Sequence, residues 1–423
     1  MRLCGAVLSL IAAVAPLAAQ PEIRPKDVRE VAKGGSSAIP RLQEFLHNPS
    51  TEVRVEAVRQ ITEIGPPRSL DPLIEATRDN DPEVQILATD GIVNFYLPGY
   101  VKNGLGASLR RVGTSIKGRF TDTNDQVIDP YIQVRAEAVT ALGKLVRSGG
   151  SMDVRANAAR AVGILRGGGA LADLIDATHS KDGTLIYESL VALQKIRDES
   201  AGPRVEFLLR DFDARVQIAA IETVGLLRDH GAVPALGGVL TRTDNIKVKR
   251  AALTSLAMLP EASSRSIYTQ YLNDKDDKMR AAAAEGFARL RNPADLPTME
   301  KAWQDEGKTM PRLSLAFAQV MLGKTQVSEF SPLQFLINNL NSASYNGVAF
   351  PFLVEVARDT AVRNALYAPL RSGTKEEKIG LAGVLARSGD QSSIAELRKL
   401  SDDPDPAVAQ AGLTAVRNLQ ARM

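Results

Sequence analysis

The sequence predicts an all-α fold, a solenoid of stacked antiparallel helix pairs. An apolar residue that opens a helical stripe recurs about every 31 residues between positions 154 and 279. A residue of the kind that caps helix N-termini stands three positions before each copy. A shorter apolar helix pattern precedes each capped one, as in 70–77, 170–178 and 233–240. One such pair cannot bury its apolar face alone, whereas a stack of pairs can.

The stretch 213–227 shows the repeat most clearly, with Asp213 as the predicted cap and Val216 as the first buried residue. We call the first buried residue of each capped helix its lead residue. The lead residues are Val53, Val84, Val154, Leu185, Val216, Val248, Met279 and Val408. The predicted caps are Ser50, Asp81, Ser151, Asp182, Asp213, Asn245, Asp276 and Asp405.

This pattern resembles HEAT repeats, in particular the short HEAT-like repeats associated with phycobilisome lyases. The residues that carry the resemblance are Asp81-Pro82-x-Val84, Asp405-Pro406-x-Val408 and the Val-Arg-x-x-Ala strings that start at Val53 and Val154. The resemblance covers most of the chain and implies an α-solenoid superhelix. It implies little about function, because solenoids host many unrelated sites.

Residues 1–19 are predicted to be a cleaved signal peptide, with Arg2 before an apolar run and Leu17-Ala18-Ala19 at the cleavage site. The alternative is a retained membrane anchor, although the run is short for a membrane span. Cleavage would remove Cys4, the single cysteine, and leave a periplasmic or secreted bacterial protein without disulfides. The formal net charge of +3 predicts no strong field for nucleic acid.

The repeat pattern divides the rest of the chain. We expect N-terminal repeats over 20–96, an insertion over 97–129, central repeats over 130–323, a linker or irregular segment over 324–345, and C-terminal repeats over 346–423. Residues 130–146 are predicted to be the first helix of the pair that Val154 completes.

The insertion is the main candidate for a binding element. Its cations are Lys102, Arg110, Arg111, Lys117 and Arg119. Apolar residues at helical spacing interleave with them, so one apolar and one basic face are predicted over 104–117. The insertion either packs on the solenoid with its cations solvated or contacts a partner, since insertions often decorate the binding face. Residues 122–126 lack the glycine and glutamate of a calcium loop and are predicted to form a solvated turn.

Two other features have a structural and a functional interpretation. The first is a series of cations that follows the lead residues or occupies the equivalent place: Arg54, Arg155, Lys249, Arg280, Arg312 and Lys378. They either pair with the cap aspartate of a neighbouring repeat and satisfy helix ends, or form a track for an anionic ligand, and the structural interpretation is favoured. The second is Trp303, the only tryptophan, which is either core or a hot spot for a partner.

No enzymatic motif is present. His47, His179 and His230 are isolated, and the His-Glu pairs of deoxyhypusine hydroxylase, a HEAT-like metalloenzyme, are missing. The chain also lacks a nucleophile elbow, a P-loop and a dinucleotide fingerprint. We therefore predict a non-catalytic scaffold without cofactor that binds a protein partner through the concave face and the insertion. The alternatives are a lyase- or isomerase-like protein that acts on a bound cofactor or peptide, and an envelope-associated binder of anionic lipid or polymer.

Overall fold

The computed structural model describes residues 23–101, 126–129 and 131–423. This part of the chain holds 23 α-helices and no strand, which confirms the predicted all-α solenoid. The helices are α1 Pro25–Ala32, α2 Ile39–Glu44, α3 Thr51–Ile64, α4 Leu70–Ala76, α5 Pro82–Tyr96, α6 Ala136–Ser148, α7 Met152–Ile164, α8 Leu171–Ala177, α9 Gly183–Ile196, α10 Gly202–Val205, α11 Ala214–Leu226, α12 Val233–Arg242, α13 Ile246–Met258, α14 Arg265–Tyr271, α15 Asp277–Leu290, α16 Leu296–Asp305, α17 Thr309–Met321, α18 Pro332–Asn338, α19 Asn346–Val356, α20 Thr360–Ser372, α21 Lys375–Ser388, α22 Gln391–Lys399 and α23 Pro406–Arg422.

From α2 onward the helices pair in order, so that each even-numbered helix packs against the odd-numbered helix that follows it. Each odd-numbered helix from α3 to α23 also packs against the next odd-numbered helix. We call this continuous row the second-helix row. It holds the main core, because every one of its helices has a neighbour on both sides except at the two ends.

The lead residues confirm the alignment of the repeats. All eight are at most 1% exposed. Seven of the predicted caps accept a hydrogen bond from a backbone amide of the first helical turn, as Asp81 does from the Glu83 N–H over 2.8 Å. Ser50 is the exception, since its side chain makes no capping bond. Its own amide instead donates to Oδ1 of Asn48 over 2.9 Å, which orders the loop in another way.

The second-helix row is closely packed at its glycines. A methyl group added at Gly163 of α7 would lie 2.7 Å from the Cα atom of Ala192 in α9. One at Gly225 of α11 would lie 3.0 Å from the Cα atom of Ser255 in α13. Glycine is needed at both positions because the backbones of successive repeats approach too closely for a side chain.

One element boundary differs from the sequence prediction. Helix α6 pairs with α7 as expected but begins at Ala136 rather than at residue 130, because Arg135 is extended and its amide donates to the Tyr96 hydroxyl over 3.0 Å. Within the irregular segment 324–345, residues 332–341 are predicted to form the first helix of a pair, and the structure has α18 there, which Ser331 caps and which packs against α17 and α19. Its buried face, Leu333, Leu336 and Ile337, explains why the segment is helical.

We predict that an introduced aspartate destabilises α13 at a buried position and has little effect at an exposed one. Val248 is 1% exposed and Ile246, two residues earlier, is 40% exposed. Val248→Asp should lower the free energy of unfolding by about 3 kcal/mol or more, since it buries an unpaired carboxylate. Ile246→Asp should change it by less than about 1 kcal/mol, because the residue is exposed and acidic groups are favourable in a first helical turn. Urea denaturation followed by circular dichroism measures both, and equal losses would contradict the repeat alignment.

Candidate functional site

The five predicted insertion cations, Lys102, Arg110, Arg111, Lys117 and Arg119, lie outside the described residues. The chain on either side of them is anchored to the solenoid. Oδ1 of Asn94 in α5 accepts hydrogen bonds from the amides of Gly99 (3.2 Å) and Val101 (3.0 Å). On the return, Ile128 is buried and its amide donates to the Ile164 carbonyl over 3.0 Å. The insertion therefore starts and ends on neighbouring members of the second-helix row.

Trp303 is half-buried at the packing surface between α16 and α17. Its ring meets that of Phe335 edge to face, with centroids 5.0 Å apart and planes at 87°. The guanidinium carbon of Arg312 lies 4.5 Å from the Trp303 centroid and 5.6 Å from that of Phe335. The indole is thus held by a cation–π contact and an aromatic contact, and its exposed part stays accessible. These contacts are compatible with a packing role and with a role in partner binding.

Trp303 also lines a groove of about 680 Å³. The groove runs along the segment 323–332, where the regular repeats are interrupted, and Glu300 and Lys324 form an ion pair at its edge. Phe330 is 86% exposed and has a positive φ of 62°, a backbone conformation that costs energy for a bulky side chain. The groove therefore combines a fixed tryptophan with a second aromatic ring that has almost no cover.

Gln319 of α17 contributes an unusual polar group to this groove. Its side chain lines the groove although the residue is only 3% exposed, and within the described residues no acceptor lies in hydrogen-bond range of its Nε2 atom. A buried amide N–H without an acceptor is unfavourable, so the group is suited to donate to a ligand carbonyl or carboxylate. Neither Gln319 nor Phe330 was predicted from the sequence. An aromatic residue in a polar stretch was the available signal for Phe330.

Three of the six cations that follow the lead residues, Arg54, Arg280 and Lys378, join one repeat to the next. Arg54 donates to the Asp79 carboxylate over 2.7 and 3.1 Å, and Arg280 donates to the Glu306 carboxylate over 2.7 and 3.0 Å. Lys378 reaches Asp403 over 2.9 Å. Each of these acids stands two residues before the cap of the next helix, so the expected pairing with the cap aspartate itself is wrong for these three cations. Arg312 departs from the series because it stacks on aromatic rings instead.

The same arginines also close the turn that precedes their own helix. Nη1 of Arg54 donates to the Asn48 carbonyl over 3.0 Å, and Nη1 of Arg280 donates to the Asp274 carbonyl over 2.9 Å. Arg363 repeats the arrangement with the Ala357 carbonyl and with Asp390. Because Arg54, Arg280 and Arg363 are already bound to protein groups, they are poorly placed to form a track for an anionic ligand.

Two further ion-pair groups lie inside the second-helix row. Arg160 and Glu188 form a bidentate pair over 3.1 and 3.0 Å, and both side chains are almost fully buried. Arg289 bridges Glu285 and Glu355. Burial opposes the charge of Arg289, but the two carboxylates outweigh it and raise the pKa of its guanidinium. Burial in turn raises the pKa of Glu285, so this carboxyl depends on its arginine to stay charged.

The histidines are dispersed. His47 contacts Glu75 over 2.9 Å, His230 contacts Glu261 over 3.2 Å, and His179 stacks on Phe207 with centroids 4.5 Å apart. Over 23–101, 126–129 and 131–423, no three His, Cys, Asp or Glu side chains are grouped so as to hold a metal ion. Over the same ranges, no helix has the length and apolar character to span a membrane.

Comparison with known proteins agrees with this architecture. The family model for HEAT repeats matches residues 14–99 and 233–318, and the first match begins inside the predicted leader. No curated protein sequence matches the chain. These two regions carry HEAT repeats, as the sequence pattern predicted.

Among solved structures, an engineered protein is 21% identical, over 90% of this chain and 98% of its own, with a TM-score of 0.38. The complex of CpcE and CpcF of phycocyanin lyase from Nostoc sp. PCC7120 is 16% identical, over 64% and 94%, with a TM-score of 0.38. Human deoxyhypusine hydroxylase in complex with glycerol is 18% identical, over 67% and 96%, with a TM-score of 0.28. None of the three bears on activity or partners.

We predict that the protein loses stability in acid and that protonation of Asp276 contributes to this loss. A hydrogen bond from Arg250 is the main cause that lowers the pKa of Asp276 in the folded state. A lowered folded pKa stabilises the protein above the unfolded value of about 3.9, and the stabilisation is lost as pH falls through the folded pKa. The melting temperature should therefore fall below about pH 4.

Asp276→Asn is the matched variant, because asparagine is also a good cap but carries no charge. It should melt lower than wild type at pH 7 and converge with it once the pH is below the folded pKa of Asp276. A constant difference between the two proteins at every pH would show that the charge of Asp276 contributes nothing.

Proposed function

We propose that this HEAT-repeat solenoid is an exported, non-catalytic scaffold that binds a protein partner. The observation that carries the proposal is the groove beside Trp303, where an exposed aromatic ring and an unsatisfied amide meet at an interruption of the repeats. Interaction hot spots are enriched in tryptophan and arginine, and Trp303 and Arg312 are in direct contact here.

The groove suits a peptide segment better than a fully enclosed small molecule. Its aromatic members, Trp303 and Phe330, provide apolar area at low cost in conformational entropy. Gln319 can donate to a backbone carbonyl of the bound segment, which would satisfy its Nε2 atom. Lys324 and Glu300 at the edge could pair with charged groups on either side of an apolar anchor.

The insertion is proposed as a second contact. Its described flanks start at α5 and return at α7, on neighbouring members of the second-helix row. In this proposal the apolar residues of 104–117 pack on the solenoid and the cations contact the partner. The partner would then follow the concave face expected of such a superhelix.

Export is proposed from the sequence pattern of residues 1–19. We expect the protein recovered from the cell envelope or the medium to lack these residues. Intact-mass spectrometry measures this directly. A recovered protein that begins at Met1 would overturn the export proposal and leave the fold unaffected.

The role of the groove is tested with Phe330→Ala. The ring is exposed, so its removal should leave the melting temperature nearly unchanged, whereas partner capture from an envelope extract should fall several-fold. Phe212→Ala is the matched control, because Phe212 is 107% exposed and lies before α11, away from the groove. If both variants capture the same proteins in the same yield as wild type, the groove is not the binding surface.

The role of the insertion is tested with Arg110→Glu combined with Arg111→Glu. Exposed charges contribute little to stability, so the double variant should fold as wild type does. Its partner capture should fall, and rising salt should weaken the wild-type complex in the same direction. Unchanged capture at low salt would assign the basic insertion no part in binding.

A further inference from the structure

A second set of arginines occupies a backbone position that normally belongs to glycine. The position lies twelve residues after the lead residue, where a helix of the second-helix row ends. In two repeats it is glycine: Gly65 has a φ of 69°, and Gly323, twelve residues after the buried Pro311 that occupies the equivalent place in α17, has a φ of 115°. In four others the residue is an arginine with positive φ. These are Arg166 (48°), Arg197 (66°), Arg228 (55°) and Arg291 (51°).

The turn itself does not need an arginine. Helices often end at a residue in the left-handed conformation, and glycine is favoured there because other side chains are strained in it. The turn is closed by backbone bonds, such as those from the amides of Arg166 and Arg228 to the carbonyls of Gly163 and Gly225. A cation elsewhere in the last helical turn would serve the helix dipole equally well without this strain. The strained left-handed backbone at these positions is therefore explained by a role of the arginine side chain and not by the turn.

The contacts of these side chains are weak. Nη1 of Arg228 lies 3.9 Å from Glu199, and both side chains are more than 60% exposed. Nη1 of Arg197 donates to the Leu226 carbonyl over 3.5 Å, at the upper limit for a hydrogen bond. All four arginines are exposed. They differ in this from Arg54 and Arg280, whose guanidinium groups are held by short bidentate bonds.

Three of the arginines come from consecutive repeats and act on each other. Desolvation lowers the pKa of Arg197, and the positive charges of Arg166 and Arg228 lower it further. Like charges held this close repel one another, so an anion bound between them would be stabilised. The set ends where the next repeat places Pro260 at the equivalent position. We call Arg166, Arg197 and Arg228 the arginine column.

We infer that the arginine column binds an extended acidic peptide, with one carboxylate on each arginine. Adjacent packed helices lie about 8–10 Å apart, and an extended chain in the polyproline II conformation rises about 3.1 Å per residue with three residues per turn, so that every third side chain returns to the same face. The column therefore matches an acidic residue at every third position of an extended segment. Arginine suits this role because its planar guanidinium binds a carboxylate through two parallel hydrogen bonds. Peptide binding by the column rests on the proposed role in protein binding but uses a surface that does not include Trp303.

The experiment measures the fluorescence anisotropy of a labelled synthetic peptide of about ten residues with glutamate at every third position, mixed with the purified full chain. A peptide of the same composition with its glutamates adjacent is the comparison probe. The spaced peptide should bind at least about fivefold more tightly, and rising salt should weaken its binding. Equal affinity for both peptides would overturn the match in spacing.

The decisive variant replaces the arginine column by glycine: Arg166→Gly, Arg197→Gly and Arg228→Gly together. Affinity for the spaced peptide should fall at least about tenfold, since three charge-assisted contacts are removed. The melting temperature should stay the same or rise, because glycine relaxes the left-handed turns. A lower melting temperature with unchanged peptide affinity would show that the arginines are structural and would overturn the inference.

Two control variants distinguish binding at the arginine column from a general charge effect and from binding in the groove. Arg78→Gln, Lys181→Gln and Arg210→Gln together remove the same charge from exposed positions near the caps, at the other end of the second helices, and should change the affinity by less than about twofold. Phe330→Ala should leave peptide binding unchanged, so that failure of the groove and failure of the column can be distinguished.

The chemical class of the ligand is tested with inorganic polyphosphate as a competing probe. The spaced peptide should bind the wild-type chain more tightly than polyphosphate does, because its carboxylates match the spacing of the arginines. Tighter binding of polyphosphate, with the same loss in the glycine variant, would overturn the peptide assignment.

Discussion

The structure depends on the burial of one face of each second helix against the second helices before and after it. A single helix pair leaves the face of Val216 or Val248 exposed, and only the neighbouring repeats cover it. The close backbone contacts at Gly163 and Gly225 make this packing specific, because any side chain there would separate adjacent repeats. Stability is therefore a property of the stack rather than of any one pair.

Polar interactions hold the repeats in place at the N-terminal ends of the second helices. Aspartates and other small polar residues cap the helices, and cations such as Arg54 and Arg280 connect one repeat to an acid of the next. These bonds satisfy helix ends and loop carbonyls that the apolar core cannot satisfy. The C-terminal ends of the same helices are different, since the exposed side chains of the arginine column are not held in this way. The N-terminal and C-terminal ends of the second helices thus have different electrostatic roles.

The groove and the insertion both lie where the repeat is irregular. The groove beside Trp303 follows α17, where the next helix begins only at Pro332, and the insertion separates α5 from α6. At the interruption beside α17, the Gln319 amide has no acceptor among the described residues and the Phe330 ring is exposed. In the proposed function, the regular repeats provide the packed scaffold, and the two irregular segments provide the binding surfaces.

The sequence by itself determined the fold class, the alignment of the repeats and most of the caps, because each depends on residues a few positions apart along one helix. Val154, Leu185 and Val216 could be placed in the core from their spacing alone. It also identified Trp303 as a candidate, as the only tryptophan of the chain. It did not predict the start of α6, since that depends on a contact between Arg135 and Tyr96 of another helix.

Only the tertiary structure decided which cations are bound and which are exposed. Arg280 and Arg228 look alike in sequence, but one faces a carboxylate 26 residues away and the other occupies a left-handed turn with its side chain in solvent. The groove likewise needs Trp303, Gln319 and Phe330 to meet from three different segments. Such properties depend on how one repeat is positioned on the next, and local sequence patterns do not encode that position.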